Sequence, residues 1–116
     1  MINLEQLYEI QSKLDRYIVS KNTDSCVGLD GNDEAFLSDR LLALFTEVGE
    51  FANATRCFKY WSVKGMESRE RLLDEYVDIL HFYLSIGNTM KFTPLEVENA
   101  YMEKNKINYA RQRSGY

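Results

Sequence analysis

Glu47-x-x-Glu50 and Glu75-x-x-Asp78 each set two carboxylates three residues apart, the spacing that puts both on one face of a helix. Four carboxylates drawn together by two packed helices repel one another and raise their own pKa values unless a cation lies between them. The set offers oxygen donors only, with no Cys or His. It therefore favours a hard cation, Mg²⁺ with Mn²⁺ as the alternative, which keeps coordination positions for phosphate oxygens and water. Between the pairs runs a connector carrying Lys59, Tyr60 and Trp61.

Helices must position these groups. Leu4, Leu7, Leu14 and Ile18 recur at helical spacing and predict a first helix over about 4–20, with the amide of Gln11 in the middle of the apolar stripe and so aimed inward. Asn22, Gly28, Gly31 and Asn32 interrupt the period and mark a polar loop over 21–37. Within it, Asp30-x-Asn32-x-Glu34 has only a faint likeness to a calcium loop, since the glycine is misplaced and the distal Glu ligand is missing.

Ser38 or Asp39 can cap a second helix whose expected core face is Leu41, Leu44, Phe45, Val48 and Ala52. At 100° per residue, Ala43, Glu47, Glu50 and Ala54 align on another face, the two acids flanked by small side chains that leave room for a ligand. Gly65 is the expected stop beyond the connector. A third helix over about 68–88 is expected to pack Leu73, Tyr76, Val77, Leu80 and Leu84 inward, with Arg71, Glu75, Asp78 and Phe82 on an adjacent face bordered by His81. Thr93-Pro94 with Glu96 forms a capping box with proline at the first helical position, the best-marked helix start in the chain. Beyond it Val97, Tyr101, Lys104, Asn108 and Arg111 share one side. Four helices and no credible strand predict an all-α fold.

A chain of 116 residues, 45% of them hydrophobic, fits one domain over 1–116 with a small core that benefits from a partner subunit. A net charge of −4 and a pI near 5.0 give no general attraction to nucleic acid or to an anionic membrane. Positive charge gathers near the C-terminus, at Lys104, Lys106, Arg111 and Arg113. Cys26 and Cys57 lack metal-site spacing, and there is no signal peptide or long apolar run, so a cytoplasmic setting is expected.

Together the Glu-x-x-Glu pair, the Lys-aromatic-Trp connector, Glu-x-x-Asp running into Ile79-Leu80-His81-Phe82, and Lys104-Asn105-x-x-Asn108-x-x-Arg111-Gln112-x-x-Gly115-Tyr116 resemble the dimeric, all-α dUTP diphosphatases of the MazG-like nucleotide pyrophosphatase superfamily. The resemblance runs over nearly the whole chain, although members of the dimeric branch are often longer between the acids and the C-terminal string. It implies a four-to-five-helix bundle completed by oligomerisation, a homodimer in the first instance. It also implies that Glu47, Glu50, Glu75 and Asp78 hold Mg²⁺ against the triphosphate of dUTP, with dUDP as a second substrate, and that water attacks in line to give dUMP and pyrophosphate. Glu47 or Glu50 would accept the proton, with Glu47 preferred. Lys59, Lys104, Asn108, Arg111 and Tyr116 would grip phosphates, Gln11 would read the uracil edge, Trp61 would line the base pocket, Phe82 would lie against the sugar, and His81 would contact the nucleotide.

Each assignment has a plainer counterpart. Gln11 also fits a satisfied buried amide, His81 a structural or ligand-orienting histidine, Phe82 and Trp61 ordinary packing aromatics, and the basic tail a helix C-terminus favoured by the macrodipole. Three function classes follow: a dUTP pyrophosphatase, a sibling enzyme for dCTP or a modified nucleotide, and a helical interaction module whose acids only decorate its surface. The tail 112–116 carries little apolar surface and is expected to be mobile until substrate orders it.

Overall fold

The computed structural model describes residues 1–22, 24, 26 and 28–115. Among them are four α-helices and no strand: α1 (Leu4–Lys21), α2 (Leu37–Thr55), α3 (Arg69–Thr89) and α4 (Pro94–Arg113), with a 3₁₀ turn at Glu34–Phe36 leading into α2.

The ends follow from side-chain capping. Asn3 Oδ1 accepts from the Gln6 amide at 2.8 Å while Gln6 Oε1 accepts from the Asn3 amide at 2.9 Å, a reciprocal box at the start of α1. Ser68 Oγ accepts from the Arg71 amide and opens α3, and Thr93 with Glu96 closes the expected box on α4. The second helix departs from expectation at both ends. Neither Ser38 nor Asp39 caps it: Phe36 holds the N-cap position of α2 without a side-chain bond, and Asp33 instead caps the 3₁₀ turn that runs into the helix, its Oδ1 accepting from the Ala35 amide at 2.8 Å. The stop is Arg56, in the left-handed region at φ 59°, well before Gly65. Its amide donates to Ala52 and Asn53 carbonyls and its Nη2 to Ser62 Oγ, bonds that offset the cost of that backbone state.

Helices α2 and α3 run antiparallel. Arg40 donates to Thr89 at one end, Glu47 and Asp78 approach each other in the middle, and the Glu67 amide donates to the Ala54 carbonyl at the other end. Helix α1 crosses α3, with Asn88 Nδ2 donating to the Tyr8 carbonyl at 2.9 Å. Gly87 allows this approach, since a Cβ there would stand 2.7 Å from the Tyr8 ring. Helix α4 packs chiefly on α1 and has no buried residue among those described. It continues through Arg113, so Gln112 and Arg113 close a helix and do not form a loose tail.

What is buried is unexpected. Among the described residues Gln11, Asp15, Asn32, Arg40, Glu75, Ser85 and Thr89 are all buried, whereas the buried apolar side chains are Tyr8, Val19, Ala54 and Leu84. Most of the stripes expected to face inward point outward: Leu14 and Ile18 on α1; Leu41, Phe45 (77% exposed) and Val48 on α2; Leu73, Tyr76 (61% exposed), Val77 and Leu80 on α3. Helices α1, α2 and α3 turn polar groups to one another because the hydrogen-bonding groups satisfy one another there, which leaves much of their apolar surface on the outside. The chain is also spread out, with a Cα radius of gyration of 17.6 Å against about 13 Å for a compact domain of this length. No helix among the described residues is long and apolar enough to cross a membrane.

Candidate active site

The antiparallel pairing of α2 and α3 brings the two acidic motifs face to face. One oxygen each from Glu47, Glu75 and Asp78 lies within 4.8 Å of the others. Glu50 stands at the edge of this cluster, against the Glu47 carboxyl, and borders a polar cleft shared with Glu67, Arg71 and Asn53. Oε2 of Glu47 and Oε2 of Glu75 are buried without a hydrogen-bond partner. Two orphaned carboxylate oxygens on residues grouped with a third acid are costly alone and well suited to a shared cation.

The electrostatics agree. Glu47 is pushed up to about 7, first by burial, then by its contact with the Glu50 carboxyl and the charges of Glu50, Asp78 and Glu75. Burial also raises Glu75, against the opposing pull of Arg71. Arg71 Nη2 holds Glu75 Oε1 at 2.7 Å and the same guanidinium reaches Glu67 at 3.5 Å and Asp74 at 3.8 Å. Arg71 therefore fixes one oxygen of Glu75 and leaves the other unpartnered. All-oxygen donors, excess negative charge and unpaired buried oxygens fit Mg²⁺ or Mn²⁺. Arg71 was visible in sequence only as a neighbour on the Glu75 face; its i,i+4 spacing to Glu75 is the signal that could have assigned its role.

Further along the same helices lies a polar network that joins α1, α2 and α3. Gln11 Nε2 donates to Asp15 Oδ1 at 3.0 Å and Ser85 Oγ at 3.1 Å, and Ser85 Oγ donates to Asp15 Oδ2 at 2.7 Å. His81 Nδ1 meets Gln11 Oε1 at 2.6 Å. Arg40 lies 4.0 Å from Asp15, donates to Thr89 Oγ1 at 2.7 Å and to the Gly31 carbonyl, and stacks on the Phe36 ring. Phe82 and Ala43 share a pocket with Asp15 and Arg40, one helical turn from Asp78 and Glu47 respectively. Asp15, Ser85 and Arg40 were not singled out by sequence; as isolated polar residues in apolar patterns they carry no local signal.

The remaining expected residues are dispersed. Trp61 is exposed on the connector, edge-on to Phe58 and Tyr60, and Lys59 Nζ lies 5.7 Å from the centre of the Phe58 ring. Lys104, Asn108 and Arg111 are exposed along α4, which rests on α1, whereas the carboxylates lie between α2 and α3. Tyr116 lies outside the described residues. Asp30, in the segment with the faint calcium-loop likeness, instead accepts from the Asn32 amide and pairs at 3.9 Å with Arg16.

An antiparallel helix pair with a carboxylate cluster at its centre, extended by two further helices, defines an all-α protein with a candidate metal centre. The chain belongs to the dUTPase family, whose profile matches it in two overlapping segments, residues 3–96 and 83–116. It is also 29% identical over 96 residues to the dCTP pyrophosphatase of Enterobacteria phage T4, an alignment covering 69% of this chain and 56% of that protein. The chain thus spans a little over half the length of the curated relative it matches. No solved structure is significantly similar.

Proposed function

We propose that this chain is a Mg²⁺-dependent nucleoside triphosphate pyrophosphohydrolase that converts dUTP to dUMP and pyrophosphate, with dUDP as a second substrate. The observation that carries the reading is the approach of Glu47, Glu75 and Asp78 to within 4.8 Å with two carboxylate oxygens unpaired, in a chain of the dUTPase family. Glu47, Glu50, Glu75 and Asp78 hold the cation, and Arg71 keeps Glu75 turned toward it. Bound Mg²⁺ supplies positive charge to the phosphate oxygens and makes water more acidic. Glu47, which stands against the Glu50 carboxyl in the cluster, accepts the proton from the attacking water. Lys59, Lys104, Asn108, Arg111 and Tyr116 bind phosphate oxygens, Gln11, His81 and Trp61 contact the nucleoside, and Phe82 lies against the sugar.

The reading includes a homodimer. The outward apolar faces of α2 and α3 and the extended shape are what a subunit interface would cover. A second copy would also complete a site whose basic residues lie on α4, apart from the carboxylates. The phage relative's name favours a second substrate reading, dCTP. A panel of deoxy- and ribonucleoside triphosphates, assayed for pyrophosphate release with and without Mg²⁺, tests both. The strongest turnover is expected on dUTP; preference for dCTP selects the second reading, and no turnover on any nucleotide removes both.

A further inference from the structure

We propose that Asp15 and Ser85 orient the Gln11 amide so that His81 is held as its Nδ1–H tautomer, presenting Nε2 to the nucleoside as a hydrogen-bond acceptor. The proposal rests on the nucleotide-hydrolase reading above and adds to it a positioning relay and a specificity-determining atom.

The relay is fixed by donor and acceptor chemistry. An ionised Asp15 can only accept, and its two oxygens face Gln11 Nε2 at 3.0 Å and Ser85 Oγ at 2.7 Å. Ser85, fully buried at 1% exposure, spends its hydroxyl hydrogen on Asp15 and so meets Gln11 Nε2, 3.1 Å away, with a lone pair. Both amide hydrogens of Gln11 are then committed, and the amide cannot flip without setting its carbonyl against two acceptors. Its Oε1 faces His81 Nδ1 at 2.6 Å, and two lone pairs at that distance would repel. The hydrogen must lie on Nδ1. In the neutral ring Nε2 is then an acceptor, on a side chain that is solvent-exposed and one helical turn from Asp78.

This arrangement has a consequence for the ligand. Gln11 has no donor left, and neutral His81 offers none at Nε2, so this end of the site selects a nucleoside that brings its own donor. A sugar hydroxyl and a base N–H both qualify. Asp15 and Ser85 do not touch the ligand; they act through Gln11.

His81 is the only histidine in the chain, which makes the test unambiguous. Long-range ¹H–¹⁵N correlation spectra of the full chain near pH 9, where imidazoles are neutral, should show Nδ1 protonated and Nε2 pyridine-like in the wild type. In Ser85→Ala, and more completely in Gln11→Leu, the Nδ1–H signature should give way to a mixture. Should Gln11→Leu fail to fold, the wild-type spectrum and Ser85→Ala decide alone. An Nε2–H ring in the wild type, or a signature untouched by Ser85→Ala, overturns the relay.

The acceptor role is read separately, in kcat/KM for dUTP, its 3′-deoxy analogue and its N3-methyl analogue. Wild type should disfavour one analogue by about tenfold, the loss of one hydrogen bond, and His81→Phe should erase that preference; which analogue suffers identifies the donor. Equal discrimination in wild type and His81→Phe overturns the acceptor role. A chain that turns over no nucleotide overturns the hydrolase reading and the acceptor role with it, while the spectra still decide the relay.

Discussion

Arg71 Nη2 grips Glu75 Oε1 at 2.7 Å while Glu75 Oε2 is buried and unpartnered, in a carboxylate grouped with Glu47 and Asp78. The guanidinium is itself braced by Glu67 and Asp74, so one cation presets the orientation of a carboxylate inside an acidic cluster. Arg71→Leu should lower affinity for Mn²⁺ or Mg²⁺ by about 10- to 100-fold, as loss of a partner that orients a metal ligand commonly does. Titration calorimetry on the variant, with its helicity checked by circular dichroism, gives the answer. Unchanged metal affinity would mean that Arg71 only decorates the cleft.

The carboxylate cluster should make the metal-free chain more stable at acid pH. Glu47 binds its proton up to about pH 7 in the folded chain and releases it near 4.5 when unfolded, and Glu75 shifts in the same direction. The folded state thus holds more protons between those values, and the stability they contribute is complete below about pH 4.5 and lost as pH rises through 7. Melting temperatures without metal should fall from pH 5 to pH 8 more steeply in wild type than in Glu47→Gln. Added Mg²⁺ should raise the melting temperature most at pH 8, where it no longer competes with the proton. Parallel profiles for wild type and Glu47→Gln would contradict the cluster's coupling.

The Asp15–Arg40 pair joins α1 to α2 from a buried position, with side chains only 7% and 10% exposed, and each partner also bonds to α3. Removing one partner leaves the other charge without compensation, and Arg40 also serves Thr89 and the Gly31 carbonyl. Arg40→Leu should cost about 3–5 kcal/mol of folding free energy in urea denaturation. A loss below ~1 kcal/mol would show that water or a neighbour takes over the contact.

These buried polar groups also mark where the sequence ceased to be readable. The chain of helices, the Ser68 start of α3, the Thr93-Pro94-Glu96 box and the shared face of each acidic pair all depend on interactions within a few residues, and those were legible. So was the inward aim of Gln11. The direction of packing was not. Leu41, Phe45, Val48, Leu73, Tyr76 and Leu80 have the period of a core face, but periodicity reveals a face without naming what covers it, and within one chain these residues stay exposed. Asp15 pairs across 70 residues with Ser85, and Arg40 across 49 with Thr89, separations at which no local pattern operates. Arg56 shows a different limit, since a left-handed stop held by hydrogen bonds needs no glycine.

Those exposed faces lead to a prediction on assembly. Sedimentation velocity of the wild type should give a dimer, and Phe45→Asp, which puts a charge in the middle of the outward face of α2, should shift the chain toward monomer and lower its melting temperature. A wild-type monomer with full activity at dilute concentration would contradict the dimer.

Whether the carboxylate cluster hydrolyses dUTP is read by incubating the nucleotide with Mg²⁺ and wild type, Glu47→Gln or Asp78→Asn, and separating the products by ion-exchange chromatography. Equimolar dUMP and pyrophosphate are expected from the wild type, with turnover in both variants reduced by several orders of magnitude while their helicity is retained. Hydrolysis within tenfold of wild type by either variant, or products other than dUMP and pyrophosphate, would contradict the cluster's role.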